Sequence, residues 1–342
     1  MAETLGPGKR TQQATRHSPR ERFVAALERR RLPGRVPHFE LVFFLTMEAF
    51  GKLHFSQRRY DQWTQMTETE RLLHRREMVE LYLQVAERFE HDAIFLHSNP
   101  SGEEEAFRLV DGLRTASGER YFLLMHGDAT SSIPHGDRMT EYACRLYEEP
   151  DKVKDESQRR VDEALARAVR MRAHGGLDGF GLCSDYCFNS GPFLRPEMFG
   201  EFITPYLKQL VAGYRELGFY TIKHTDGNIM PILHDLLEAR PHALHSLDPQ
   251  GGVDLAELVH LASDRVCLIG NVNCALLDTG TEEECLDSVR YALRHGLRSP
   301  GYVFSTSNCI YTGMRLERYE RMLDVWRHEG IRPDEHTVEE AS

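Results

Sequence analysis

Long apolar runs are missing from this 342-residue chain. No stretch approaches the roughly 18 consecutive apolar residues of a membrane span, and the start lacks the apolar core of a secretory signal. A basic excess is missing too. The formal net charge is −11, which argues against a nucleic-acid binder, because such proteins present a basic face to phosphates. No GxGxxG or Walker-type glycine fingerprint follows any apolar run, so a nucleotide-binding loop is not expected. The seven cysteines (Cys144, Cys183, Cys187, Cys267, Cys274, Cys285 and Cys309) contain no CxxC pair. Without an export signal they read as reduced thiols of a cytoplasmic protein, most of them plain buried residues.

The charge is uneven. Residues 1–38 hold nine Lys and Arg against three Glu, a local surplus of +6 that leaves −17 on the remainder. Residues 1–19 have no apolar core segment and read as a disordered basic tail, and 333–342 as an acidic tail. Between them, residues 20–332 are expected to form a single domain. Apolar residues make up 41% of the chain, ample for a large core.

Short apolar runs alternate with long amphipathic stretches. The runs are Val36–Phe44, Ala93–Leu96, Tyr121–Met125, Gly179–Leu182, Tyr220–Ile222, Ala243–Leu247, Val266–Ile269 and Tyr302–Phe304. Most are continuous rather than alternating, as in parallel strands buried on both faces. Pro196 to Leu217 has a helical apolar stripe with a kink expected at Pro205, and Thr281 followed by Glu284 has the spacing of a capping box. Eight strand–helix units predict an α/β fold, a (β/α)8 TIM barrel, with a doubly wound open sheet as the alternative.

A barrel carries its site at the carboxyl ends of its strands. Each run here ends in groups that can bind or move protons. The first holds Glu40, the second ends in His97, the third in His126 and Asp128, and the fourth in Asp185 and Tyr186. His224 and Asp226 follow the fifth, His245 and Asp248 the sixth, Asn271 and Asn273 the seventh, and Ser305, Asn308 and Cys309 the eighth. Asp248, Asn273 and Ser305 are read first as helix caps or turn residues, which these side chains commonly are. Histidine and glutamate are poorer caps. His224 and Asp226, two apart on an extended segment, face the same side. With a thiolate from Cys309 they would make three zinc ligands and leave a position open for substrate.

At these residues the chain resembles the uroporphyrinogen decarboxylase-like barrels, which include the cobamide-dependent methyltransferases. The resemblance spans roughly residues 20–330. It rests on Arg20-Glu21-Arg22 through Arg35-Val36-Pro37, on Asp185 followed by Gly191-Pro192-Phe193 and Pro196-Glu197-Met198-Phe199, and on Pro205-Tyr206-Leu207-Lys208. His224-Thr225-Asp226-Gly227, Gly270-Asn271, Thr279 to Glu283 and Gly301-Tyr302 complete it. The decarboxylases hold their tetrapyrrole with an Arg-rich segment and an Asp after the second strand. Here that strand ends His97-Ser98-Asn99. The methyltransferase branch holds zinc with a His-x-Cys pair and a distant Cys. His224 and Cys309 match, whereas Asp226 stands where the middle cysteine would be.

The resemblance implies a zinc-dependent methyltransferase that moves a methyl group between a corrinoid (methylcobalamin) and a small molecule such as a methoxylated compound, a folate or a thiol. The chain lacks an Asp-x-His-x-x-Gly corrinoid motif, so the corrinoid is expected on a partner protein. In this picture His224, Asp226 and Cys309 hold zinc, and His97 and His126 transfer protons. Asp185 and Tyr186 shape the pocket, Asn271 and Asn308 bind substrate, and Glu40 is a further ligand or general acid. A metal-free decarboxylase or lyase, with His224 and Asp226 only hydrogen-bonded, is the second reading, and a non-catalytic corrinoid-binding accessory the third.

Overall fold

Seven of the eight apolar runs form one parallel sheet in which every strand pairs with its neighbours in sequence. They are β1 (Ala93–Leu96), β2 (Phe122–His126), β3 (Gly179–Leu182), β4 (Tyr220–His224), β5 (Ala243–His245), β6 (Cys267–Val272) and β7 (Tyr302–Thr306). The structure, a computed structural model, describes residues 17–332. The tail expected over 333–342 lies outside these residues, as does that expected over 1–19 apart from 17–19, where Ser18 caps the helix Pro19–Leu27.

The first run, 36–44, is not a regular strand but occupies the eighth stave. Phe304 N donates to Pro37 O at 2.9 Å and Phe39 N to Phe304 O at 3.1 Å, while on the other side Asp92 N donates to His38 O at 2.8 Å. The segment thus bridges β7 and β1 and closes a (β/α)8 barrel, so the open-sheet alternative falls away. Pro37, which has no N–H to give a ladder, sits at the start of this stave.

Helices cover the outside. Thr281 and Glu284 form the expected capping box at the start of Glu282–Gly296. The stripe after Pro196 splits into Pro196–Phe202 and Thr204–Glu216, with the break at Ile203; Pro205 explains it, because it cannot donate back into the preceding turn. Among the described residues no helix is long and apolar enough to cross a membrane.

Strand alternation decides what faces the barrel axis. Phe95, Leu124, Ile222, Ala243, Ile269 and Val303 belong to one buried interior cluster, closed at the amino-terminal end by Phe23, Ala26 and Leu27 of the first helix. Two residues further along the same strands lie His97, His126, His224, His245, Asn271 and Ser305. The periodicity that fills the barrel with hydrocarbon therefore places a layer of imidazole, amide and hydroxyl groups at its carboxyl end.

Candidate active site

His224 ends β4, and Asp226 follows in the turn that leads out of it. Asp185 comes from the neighbouring loop after β3. One donor atom from each of these three residues lies within 4.8 Å of the other two. His224 Nε2 is 3.7 Å from Asp226 Oδ1 and 3.9 Å from Asp185 Oδ1. Zinc bonds of about 2.0–2.2 Å would set tetrahedral N and O ligands roughly 3.4 Å apart. The two distances from the imidazole therefore need to close by only about 0.3–0.5 Å to hold such an ion, and the donors suit a borderline or hard divalent cation.

Each member is oriented by groups outside the set. Ser246 Oγ donates to Asp226 Oδ1 at 2.7 Å, and Asn308 Nδ2 donates to the other oxygen. Asp226 N donates to Asp185 Oδ1 at 3.1 Å. Ser246 and Leu247 both have left-handed backbones, with φ of 84° and 51°. This conformation strains side chains of their kind and collects at functional sites; here it turns the chain so that the Ser246 hydroxyl meets Asp226. Gly227 also has positive φ, and a Cβ on it would lie 2.6 Å from Phe188 O, so the turn after Asp226 packs against the Cys187–Phe188 strand in a way that only glycine permits.

The three side chains grade outward: 6% exposed at His224, 30% at Asp226 and 45% at Asp185. Burial, with Lys223 adding to it, lowers the His224 imidazole to about 3 and keeps it neutral. Burial raises the Asp226 carboxyl to about 7, and the charges of Asp185 and Asp248 work the same way. A bound cation would reverse that logic and ionise the acid. Asp185 and Asp226 open onto a cavity of about 920 Å³, whose wall includes Thr130 to Gly136, Arg138, Arg145 and Arg160.

The remaining expected residues divide. Cys309 is not among the groups that converge: it is buried in the interior cluster, and burial pushes its thiol up. The expected set His224, Asp226 and Cys309 is therefore revised, with Asp185 as the third donor. Tyr186 does not shape the cavity either. Its ring is buried under Lys223 Nζ at 4.0 Å, and its hydroxyl meets Thr130 Oγ1 at 2.5 Å. His97 and His126 line a different cavity of about 430 Å³ with Glu103 and Arg167, whose wall includes neither Asp185 nor Asp226. Asn271 Nδ2 donates to Leu247 O at 3.0 Å and braces the strained turn after β5. Asn308 reaches a candidate ligand, Asp226. Asp248 and Asn273 are caps, accepting from Gln250 N and Ala275 N. Ser305 is not: it bonds side chains on both sides, as described below.

Glu40 is fully buried. Burial raises its carboxyl to about 8, against the opposing hydrogen bonds from Thr306 and Ser305. A carboxyl neutral in the folded protein and ionised in the unfolded chain favours folding most below pH 4.5, its ordinary value, and that advantage is lost as pH rises to about 8. Glu40→Gln is expected to remove this decline; unfolding free energies of both proteins measured across that window check it.

One residue not expected from the sequence supports the site. Lys223, next to His224 on β4, points the other way and is fully buried. Its three ammonium protons go to Asp128 Oδ2 at 2.9 Å, Leu182 O at 3.2 Å and Ser184 O at 2.8 Å. Burial works to raise the Asp128 carboxyl, but Lys223 and the Thr130 hydrogen bonds outweigh it and hold it at about 2. This buried ion pair ties together the ends of β2, β3 and β4. A lysine placed directly after the apolar run Tyr220–Ile222 was the one available sign.

A closed α/β barrel with a histidine and two aspartates at its carboxyl mouth belongs to the broad class of barrel enzymes with a polar, cation-compatible site. More narrowly, the family model described as uroporphyrinogen decarboxylase (URO-D) matches residues 132–328. That stretch is more than half of the chain, which therefore belongs to the uroporphyrinogen decarboxylase family. Among solved structures, a methyltransferase from Methanosarcina mazei superposes with a TM-score of 0.69 at 16% identity, covering 91% of this chain and 98% of that one; the likeness shows a shared fold. A D-psicose 3-epimerase with D-fructose gives a TM-score of 0.37 at 10% identity, covering 70% of this chain and 81% of the other. No curated protein matches the chain.

Proposed function

We propose that the chain is a zinc-dependent methyltransferase, moving a methyl group between a small molecule and a corrinoid carried by a partner protein. The observation that carries this reading is the approach of His224 Nε2 to within 3.7 Å and 3.9 Å of two carboxylate oxygens, at the end of the barrel where substrates enter. Zinc bound there would supply Lewis-acid polarisation of the substrate heteroatom. His224, Asp185 and Asp226 would hold it, Ser246 and Asn308 would aim Asp226, and the cavity beside Asp185 would receive the substrate. A ligand set of two carboxylates and an imidazole is harder than one with thiolates. It favours an oxygen-bound methyl group, as in a methoxylated compound, over a thiol acceptor.

The test is metal analysis joined to turnover. Purified protein is expected to hold about one zinc and to demethylate a methoxylated aromatic when a corrinoid protein is supplied. Asp185→Ala should lose the metal and Cys309→Ala should keep it. Full turnover by metal-free protein would reject the proposal.

One observation favours the second reading, a metal-free decarboxylase. Arg138, Arg145 and Arg160 line the cavity beside Asp185 and Asp226, and Arg160 bonds there to Ser131, Ser157 and the Ala129 carbonyl. Such a wall suits a carboxylated substrate. Release of carbon dioxide from a polycarboxylate by zinc-free protein would establish that reading.

A further inference from the structure

Behind His224 runs a chain of polar contacts through the barrel interior. His224 Nδ1 meets His245 Nδ1 at 2.7 Å, and His245 Nε2 meets Ser305 Oγ at 3.4 Å. Ser305 Oγ meets Glu40 Oε2 at 3.4 Å, Glu40 Oε1 meets His38 Nε2 at 3.3 Å, and His38 Nδ1 meets Phe89 O at 3.0 Å. All five side chains are buried. The chain crosses from β4 through β5 and β7 to the closing stave 36–44, and on to the backbone before β1.

Its two fixed points, with the Tyr319 hydroxyl assigned to His91, set the direction of its protons. A carbonyl oxygen only accepts, so His38 Nδ1 carries hydrogen and the neutral ring presents a bare Nε2. Glu40 Oε1 and the Tyr319 hydroxyl both stand 3.3 Å from that nitrogen; the Tyr319 hydroxyl lies nearer to His91 Nε2, at 3.1 Å, and assigned there it leaves Glu40 Oε1 as the donor to His38. At the other oxygen, the Thr306 backbone N–H donates at 3.2 Å, with a longer contact of 3.4 Å to Oε1, and the Thr306 hydroxyl at 2.5 Å adds a second bond to Oε2. Oε2 is therefore an acceptor, and Ser305 gives it a proton. Ser305 Oγ in turn accepts from His245 Nε2–H, His245 Nδ1 is bare, and His224 Nδ1 must carry hydrogen. The reverse orientation would leave two buried acceptors facing each other at Phe89, at a cost of about 1–3 kcal/mol.

We infer that His245, Ser305 and Glu40 are positioning residues that lock His224 in its Nδ1–H tautomer, with the Nε2 lone pair directed at Asp185 and Asp226. Outer hydrogen bonds of this kind set the orientation and basicity of a ligating imidazole. The inference rests on the metal-site reading for its purpose, but not for its geometry. Protonated Glu40 matches a glutamine whose amide oxygen faces Thr306 and Ser305 and whose NH₂ faces His38, so that substitution should preserve the order. A leucine there offers neither group and should abolish it.

The experiment is nitrogen-15 NMR of the imidazoles in metal-free, full-length protein, with His224 assigned by its loss in His224→Gln. The wild type and Glu40→Gln are expected to show His224 as the Nδ1–H tautomer. Ser305→Ala, His245→Phe and Glu40→Leu are expected to show mixed tautomers, and where they take up Co²⁺, affinity lowered by about 10–100-fold. An Nε2–H signal for His224 in the wild type, or a tautomer ratio unmoved by Ser305→Ala, would overturn the inference. Should Glu40→Leu or His245→Phe not fold, Glu40→Gln and Ser305→Ala decide the matter alone. Because the tautomer is read without metal, a protein that binds no zinc yet keeps the Nδ1–H form would refute the methyltransferase reading and leave this one standing.

Discussion

Replacing His224 by alanine is expected to strip the site of zinc and to lower methyl transfer by more than about a thousandfold, the several kcal/mol that a Lewis-acidic metal contributes. His224 is the one nitrogen donor of the converging set and the most buried of its members. Its ring is held by His245 on one edge and faces both aspartates with the other. Asp226→Asn should act in the same direction, since a neutral amide oxygen is a weaker ligand than a carboxylate. Both variants should fold, because the changes lie in the polar layer above the hydrocarbon interior. Metal content, turnover after metal loading and thermal unfolding together check the expectation. Wild-type zinc in His224→Ala would contradict it.

Lys223→Met is expected to destabilise the protein by about 3–5 kcal/mol, the usual cost of leaving one charge of a buried pair uncompensated. Methionine fills much of the space of the lysine stem but satisfies none of the three acceptors at Asp128, Leu182 and Ser184. Asp128, 1% exposed, would remain as a lone buried carboxylate. Adding Asp128→Asn should recover part of the loss, since the remaining group is then neutral and its one amide oxygen can still accept from Thr130 or from Ser184 N, though not from both. Denaturant midpoints of the two single variants and the double variant measure the coupling. A Lys223→Met midpoint close to wild type would show that the pair contributes little.

The periodicity of the chain carried most of the fold. Ala93–Leu96 and Gly179–Leu182 are strands with the boundaries that their composition predicts, and the Thr281 capping box opens the helix it should. The closing stave is less regular than its apolar run suggests, because Pro37 removes a donor and the segment has to reach two neighbours at once. His224 and Asp226 were legible because alternation puts residues two apart on one side. Asp185 was placed near the pocket, but its approach to them depends on the loop after β3, whose path is tertiary. Cys309 was expected at the rim because it follows the last strand. It instead packs inward with the hydrocarbon, a choice of side-chain direction that spacing does not encode.

By itself the sequence determined the alternation of strands and helices, the polar side chains at the carboxyl ends of the strands and the absence of a membrane-length helix among residues 17–332, because these follow from periodicities within single segments. Only the tertiary structure decided which polar groups meet. Contacts such as His224 with Asp185, Lys223 with Asp128, or Glu40 with Ser305 join strands distant in the chain. Their existence depends on barrel closure and on loop backbones such as the left-handed turn at Ser246. Local propensity carries no information about either, since burial rewards or penalises a charged side chain only once its distant partner is in place.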